Sequence, residues 1–317
     1  MGGAVTADAG EHERMSDSLE IKQKGESVEG FRILSEIGRG AASVVYLVQE
    51  AKTKQIWALK HLQKRSSKDQ RFLDQAISEH KVAQDLNHPS IRKIPRMIKK
   101  GSLLNVRELY LVMEWVEGDS MDVTPPSTFE SMVDICRQVA LGLSHMHDRG
   151  YVHADMKPHN IVISEGGRAK IIDLGQSCKI GTVKERIQGT PDYIAPEQVH
   201  RQAIVPVTDV YNVGAMMYWM LTRKHVPTAF DTGGERLVGS IDASLMDKPQ
   251  PVCELNRKVP EGLGKLVMDC VEIQIEDRPA SMKAVADRLE HVLGELLATQ
   301  QRRGVGRTLD ADRQASG

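Results

Sequence analysis

The chain has 317 residues, with 42 Lys plus Arg against 43 Asp plus Glu and a formal net charge of −1. Binding nucleic acid by phosphate neutralisation needs a basic surplus that is missing here, so no nucleic-acid partner is expected. The four cysteines (Cys136, Cys178, Cys253, Cys270) are widely spaced with no CxxC pair, which excludes a disulfide framework or zinc site and suits a reducing cytoplasm.

The amino terminus lacks the apolar stretch of a secretory signal, and MGGAVT fits an N-myristoylation pattern only superficially. No apolar run reaches about 18 residues, so neither a span nor a membrane partner is expected. Residues 1–29 are polar and rich in Gly, Glu and Ser, which reads as a flexible tail. Phe31 to Val48 runs apolar, glycine-rich, apolar, the pattern of strand, tight turn and strand. Taken alone, Gly38-x-Gly40 is weak evidence, and an ordinary hairpin with a glycine turn is the better reading. A dinucleotide-binding reading is disfavoured, because the glycines there open a helix, whereas Val44, Val45, Tyr46 and Val48 have strand character.

Ile56 to Leu62 reads as a third strand with Lys60 among apolar neighbours. A helix over about Lys68–Asp85 carries Glu79, and Pro89 lies beyond its end. Strands are expected near Ile94–Ile98 and Leu109–Trp115, with a turn at Lys99-Lys100-Gly101. The basic group Arg92, Lys93, Arg96, Lys99 and Lys100 reads as a solvated face. Glu117-Gly118-Asp119 and Pro125-Pro126 break the pattern and mark a domain boundary. Ser127 and Glu130 form a capping box for a helix whose buried stripe is Met132, Ile135, Val139, Leu143 and Met146.

The stretch Tyr151 to Gly175 follows. It reads as short strands joined by polar loops, and it holds three groups suited to phosphoryl transfer. Asp155 can accept a hydroxyl proton, and Asn160 and Asp173 offer oxygens to Mg²⁺. Lys157 can neutralise a moving phosphate. Gln176 to Asp192 is polar and expected to be mobile and exposed. Thr208 to Leu221 is apolar all round, hence a buried helix. Residues 227–260 are loop-rich with one short helix. Gly264 to Ile273 is amphipathic, and Ser281 caps a last helix with Met282, Val285, Leu289, Val292 and Leu296 as its core stripe. Residues 298–317 read as a disordered tail.

In this order the fragments resemble a eukaryotic-type (Hanks-type) serine/threonine protein kinase. The matching residues are Gly38-x-Gly40-x-x-Ser43-x-Val45, Ala58-Leu59-Lys60, Glu79, His153-Ala154-Asp155 with Asn160, Asp173-Leu174-Gly175, Ala195-Pro196-Glu197, Asp209 and Arg278. The resemblance implies an α+β bilobal kinase fold over residues 30–297. A small β-rich lobe with one main helix would occupy 30–116, and a larger helical lobe 117–297. It implies ATP as phosphoryl donor with Mg²⁺, Mn²⁺ being the alternative ion, and protein substrates. A transient dimer stays open.

By the same resemblance, Ile37, Gly38, Gly40, Val45, Ala58, Met113, Glu114 and Val116 enclose the nucleotide. Lys60 holds its α and β phosphates and is oriented by Glu79. Asp155 and Lys157 are catalytic, and Asn160 and Asp173 hold the metal. Glu197, Asp209 and Arg278 are structural, and Thr190 with Lys157 favours Ser/Thr acceptors. The chain departs from the family pattern in three places. Ser43 stands for the third glycine and Leu174 for a phenylalanine. Ala154 stands where most regulated members carry an arginine that meets an activation-segment phosphate. Activity is therefore expected not to depend on that switch.

Two other readings compete. A pseudokinase would lose the equivalent of Lys60, Asp155 or Asp173, and none is lost. A small-molecule phosphotransferase would lack the features that contain Glu197 and Arg278.

Overall fold

The computed structural model describes residues 21–40, 42–102, 105–227 and 248–315. Most of the expected amino-terminal tail, and much of the loop-rich stretch after residue 227, lie outside the described residues. The chain divides into two compact units, each described by itself: Met1–Ile77 with Arg96–Met113, and Ser78–Pro95 with Glu114–Gly317.

The first unit is built on an antiparallel sheet. Its strands are β1 (Ser27–Val28), β2 (Phe31–Arg39), β3 (Ser43–Glu50), β4 (Ile56–Gln63), β5 (Arg96–Ser102) and β6 (Asn105–Glu114), in the order β1-β2-β3-β4-β6-β5. Period-two alternation decides its faces. Phe31, Ile33, Val44, Tyr46, Val48 and Leu59 form the buried side with Tyr110 and Val112, while Val45, Leu47 and Lys60 fall on the less buried side. Order begins earlier than the sequence indicated. Gly25 N donates to Ile33 O at 2.9 Å and Lys22 N to the Tyr46 hydroxyl at 2.9 Å, so the segment leading into β1 is tied to the sheet and is not a free tail. The β5–β6 hairpin also sits further along than expected. Lys99, Lys100 and Gly101 are strand residues paired to Leu109, Glu108 and Val106, with a bulge at Gly101.

Helix α1 (Gln70–Gln84) begins in the first unit, but its second half and the segment to Pro95 belong to the other. This division is not the one drawn from sequence at residues 116 and 117. Specific bonds explain this. The Tyr151 hydroxyl donates to Asp85, Asn87 N to His145 Nε2 at 3.1 Å, and Ile171 N to Ser90 O at 2.8 Å.

The second unit is mainly helical. After β7 (Asp119–Ser120) come α2 (Phe129–Asp148), β8 (Tyr151–Val152), β9 (Ile161–Ile163), β10 (Ala169–Ile171), β11 (Cys178–Lys179) and β12 (Thr182–Val183). These are followed by α3 (Pro196–Val199), β13 (Ala203–Ile204), α4 (Pro206–Thr222), α5 (Val252–Leu255), α6 (Glu261–Cys270) and α7 (Met282–Ala315). The α2 cap is one residue later than expected. Thr128 Oγ1 accepts from Ser131 N at 3.1 Å, so Thr128, not Ser127, is the N-cap. Ser281 does cap α7, its Oγ accepting from Ala284 N at 3.1 Å. That helix runs on past residue 297, where the sequence reading placed a disordered tail.

Helix α4 is buried over nearly its whole length. It packs against α6 at Gly214, where a Cβ would stand 2.5 Å from that of Cys270. All four cysteines are free thiols. Burial pushes those of Cys136 and Cys270 up to about 12, so neither supplies a thiolate nucleophile.

Gly118 follows the segment expected to meet adenine. It has φ +146°, and a Cβ there would fall 2.1 Å from Ile163 O. Such a backbone is nearly glycine-only, with a cost of about 1–3 kcal/mol for other residues before any clash. Gly118→Ala is expected to lower the denaturant midpoint by at least that equivalent, measured by urea unfolding. An unchanged midpoint would show that the segment relaxes freely.

Candidate active site

In the first unit, strand register brings three expected nucleotide-site residues into one row. Gly38 pairs with Val45, and Val45 pairs with Lys60, across β2, β3 and β4. Ala58 shares the Lys60 side of β4, two residues away. Gly40 N donates to Ser43 O at 2.8 Å, closing the turn through backbone alone, and Ser43 keeps that turn without a third glycine. Ile37 is 40% exposed. Met113 is buried near the end of β6. One face of this sheet thus presents a glycine turn, apolar side chains and the Lys60 ammonium.

In the second unit, the loop between β8 and β9 assembles the catalytic candidates. Asp155 Oδ2 accepts from Lys157 Nζ at 2.9 Å, and Oδ1 accepts from the Thr190 hydroxyl at 2.9 Å. Lys157 Nζ also donates to that hydroxyl at 2.7 Å. The carboxylate therefore holds a hydroxyl at the distance a general base needs, with a cation beside it. Asn160 Nδ2 donates to Asp155 O at 2.8 Å. This commits the donor end of the amide and leaves its oxygen as the end that can face a cation.

Asp173 is placed beside Asn160 by the chain. β9 and β10 pair, Ile161 opposite Ile171, and Ile172 N donates to Asn160 O at 2.9 Å. Gly175 N donates to Asp173 Oδ1 at 2.8 Å and orients that carboxylate. One carboxylate and one amide oxygen are hard donors that suit Mg²⁺. No cluster of three or more His, Cys, Asp or Glu that could hold a metal occurs among the described residues. The donor set fits an ion that takes its remaining ligands from phosphate oxygens and water.

The loop is held in a strained shape. Ala154 has φ +61°, a left-handed conformation that costs a non-glycine residue about 1–3 kcal/mol. Both flanking peptide groups are fixed. Ala154 N donates to Asp209 Oδ1 at 2.8 Å and His153 N to Asp209 Oδ2 at 2.9 Å. Gln198 Nε2 donates to Ala154 O at 2.8 Å. Burial pushes the Asp209 carboxyl up, but the His147 hydrogen bond at 2.8 Å, the nearby His147 and His153 rings and the His153 N–H outweigh it, leaving that carboxyl below its ordinary range. Neither Gln198 nor His147 was legible as part of the site, since their roles are hydrogen bonds made across 44 and 62 residues.

Glu197 and Arg278 meet as expected. Arg278 Nη1 and Nη2 lie 2.9 and 3.0 Å from the two Glu197 oxygens, and both side chains are almost wholly buried. The guanidinium also donates to Glu272 O, Val207 O and Ile273 O. Its five N–H donors thus have five acceptors.

The basic run after Pro89 is not one solvated face. Arg96 pairs with Glu50 at 2.9 Å, and Lys100 with Glu29 at 2.5 Å. Arg92 lies in the second unit with its Nε buried. Burial pulls its pKa down, against the opposing pull of Glu79, Asp173 and Glu114. Glu79 is itself buried, on α1. The side chain of Glu114 is engaged by Lys170 Nζ at 2.6 Å and Lys93 N at 3.0 Å. Any adenine contact at Glu114 therefore falls to its backbone. Glu114, Val116 and the β9–β10 turn border a cavity of about 460 Å³, but Asp155, Asn160 and Asp173 do not line it.

Known proteins are similar to this chain in sequence. The family described as protein kinase domain matches residues 31–289. A probable serine/threonine-protein kinase of Clostridium acetobutylicum is 29% identical over 270 residues, covering 83% of this chain and 40% of that protein. The serine/threonine-protein kinase PknL of Mycobacterium tuberculosis is 30% identical over 274 residues, covering 84% of this chain and 66% of that protein. For pkn2 of Myxococcus xanthus the figures are 30% over 280 residues, 82% and 32%. The chain spans less than two thirds of each of these relatives. With the family match running from β2 to α7 and enclosing the whole loop around Asp155, the chain belongs to the protein kinase domain family.

Proposed function

We propose that this chain is an ATP- and Mg²⁺-dependent serine/threonine protein kinase that moves the γ-phosphate of ATP to hydroxyls of protein substrates and to its own. One observation carries this reading. Asp155 holds the Thr190 hydroxyl at 2.9 Å while Lys157 stands 2.9 Å away on its other oxygen. A substrate hydroxyl presented to the same carboxylate is aimed at the γ-phosphorus. It loses its proton to Asp155 as its oxygen bonds to phosphorus, and the bond to the β-phosphate oxygen breaks to release ADP. Lys157 offsets charge on the moving group, and Lys60 holds the α and β phosphates as a point charge. Asn160 and Asp173 would hold Mg²⁺, with Mn²⁺ as the alternative. The ion supplies charge neutralisation to the phosphates when bound. Positioning accounts for much of the remaining barrier.

The acceptor is a protein side chain on this reading because Glu197 and Arg278 brace the platform around Thr190, a feature that small-molecule phosphotransferases lack. No helix among the described residues is long and apolar enough to cross a membrane, and a cytoplasmic location is part of the proposal. The deciding assay is transfer of labelled γ-phosphate from Mg·ATP to a generic protein, to the chain itself and to small alcohols. Label on alcohols alone would overturn the reading, and no label on any acceptor would leave a pseudokinase.

The activation segment bears on regulation. The sequence suggested a mobile, exposed stretch, but β11 pairs with β8, and β12 pairs with β13. The Thr182 hydroxyl closes a turn on Lys179 O at 2.7 Å. Thr182→Ala removes that one exposed hydrogen bond and any phosphate added there. Its rate is expected to stay within about tenfold of wild type, one decade being 1.36 kcal/mol. A larger loss would show that phosphorylation of Thr182 governs activity.

A further inference from the structure

Ala154 leaves the catalytic loop without the arginine that usually meets the activation segment. Its methyl is buried among Val152, Ile204 and Cys178. The segment that passes this spot carries its own cation. Lys184, half-buried just after β12, turns back so that Nζ donates to Gln176 O at 2.7 Å and to Gln176 Oε1 at 3.3 Å. This ties the two ends of the β11–β12 turn together. The groups that face its ammonium electrostatically are the Cys178 thiol and the carboxylates of Asp155 and Asp209. Asp209 braces His153 and Ala154, and Asp155 is the proposed base.

We propose that Lys184 is a positioning residue that supplies from within the activation segment the positive charge missing at Ala154, so that the segment is held against the catalytic loop without phosphorylation. An ammonium in that place does two things. It closes the segment on Gln176 by hydrogen bonding, and it brings a positive charge into the field of the Asp155 and Asp209 carboxylates. A phosphate–arginine pair would have to be made and unmade by phosphorylation and dephosphorylation, whereas this contact is present as soon as the chain folds. Burial lowers the pKa of Lys184, with Cys178, Asp155 and Asp209 pulling it back up.

The proposal rests on the kinase reading above, and its test keeps the two apart. Phosphatase-treated wild type, Lys184→Gln, Lys184→Arg and Asp155→Ala are compared in steady-state transfer to a protein substrate, alongside thermal melting. Glutamine can still donate to Gln176 O but carries no charge. The expected result is a kcat for Lys184→Gln lower by about tenfold or more, an unchanged KM for ATP and an unchanged melting temperature. Lys184→Arg should recover to within about threefold of wild type. Lys184→Gln at wild-type kcat, or glutamine and arginine variants equally impaired, would overturn the proposal while Asp155→Ala remains inactive. Should Lys184→Gln melt early, the arginine variant decides. Full activity there supports the role of charge, and loss equal to that of glutamine overturns it. An Asp155→Ala variant as active as wild type would instead overturn the kinase assignment.

Discussion

Replacing Asp155 by alanine is expected to lower kcat for protein phosphorylation by about 10²–10⁴-fold, the usual contribution of a positioned acid–base group. At 1.36 kcal/mol per decade that is about 3–5 kcal/mol of transition-state stabilisation. The geometry argues for a loss in kcat and not in ATP affinity. Asp155 touches Lys157 and Thr190 through its carboxylate, while Asn160 is held by the Asp155 backbone carbonyl, which alanine retains. The proposed metal ligands therefore keep their anchor. Initial rates with labelled ATP at varied ATP concentration measure both constants. A kcat within a factor of about three of wild type would remove Asp155 from the mechanism. Asp155→Asn is a useful companion, since it nearly preserves shape and loses only the basic oxygen and its charge.

Arg278→Ala is expected to be the most destabilising single change in the second unit. It strips the buried Glu197 carboxylate of both charge-assisted bonds and removes the guanidinium N–H donors from Glu272 O, Val207 O and Ile273 O. Breaking a buried pair by removing one partner costs about 3–5 kcal/mol. For a unit of this size, that corresponds to a fall in melting temperature of roughly 6–20 °C. Arg278→Lys should rescue little, because a single ammonium cannot reproduce a bidentate fork or reach three carbonyls at once. Calorimetry on both variants is the check. A fall of less than about 2 °C for the alanine variant would show that Glu197 finds another partner. The loss acts on function indirectly, since α3, which bears Glu197, also bears Gln198, and Gln198 holds the strained Ala154 carbonyl.

The residues proposed to do chemistry were the easiest to read. Asp155, Lys157 and Asn160 fall within six positions, so their spacing along one loop is itself the evidence. The glycine turn, Lys60 in an apolar strand and the Ser281 cap are likewise local signals. The errors have a common cause. Ser127 and Thr128 are adjacent hydroxyls, and only the phase in which α2 buries Met132 and Val133 selects one of them. Arg92, Arg96 and Lys100 form one basic run in sequence, yet Arg92 belongs to one unit with its Nε buried, while Arg96 and Lys100 lie on β5 of the other, each paired to a carboxylate. The activation segment looked mobile because its composition is polar. Two short strand pairings and a lysine turned inward, none visible in composition, hold it.

By itself, then, the sequence determined the family and pointed to the loop around Asp155 and to the candidate acid, base and metal ligands, because these depend on residue type and short spacing. Only the tertiary structure decided what holds that loop in its strained form. Asp209, Gln198 and His147 act through hydrogen bonds between segments far apart along the chain, and no local pattern encodes which distant donor will arrive at which acceptor.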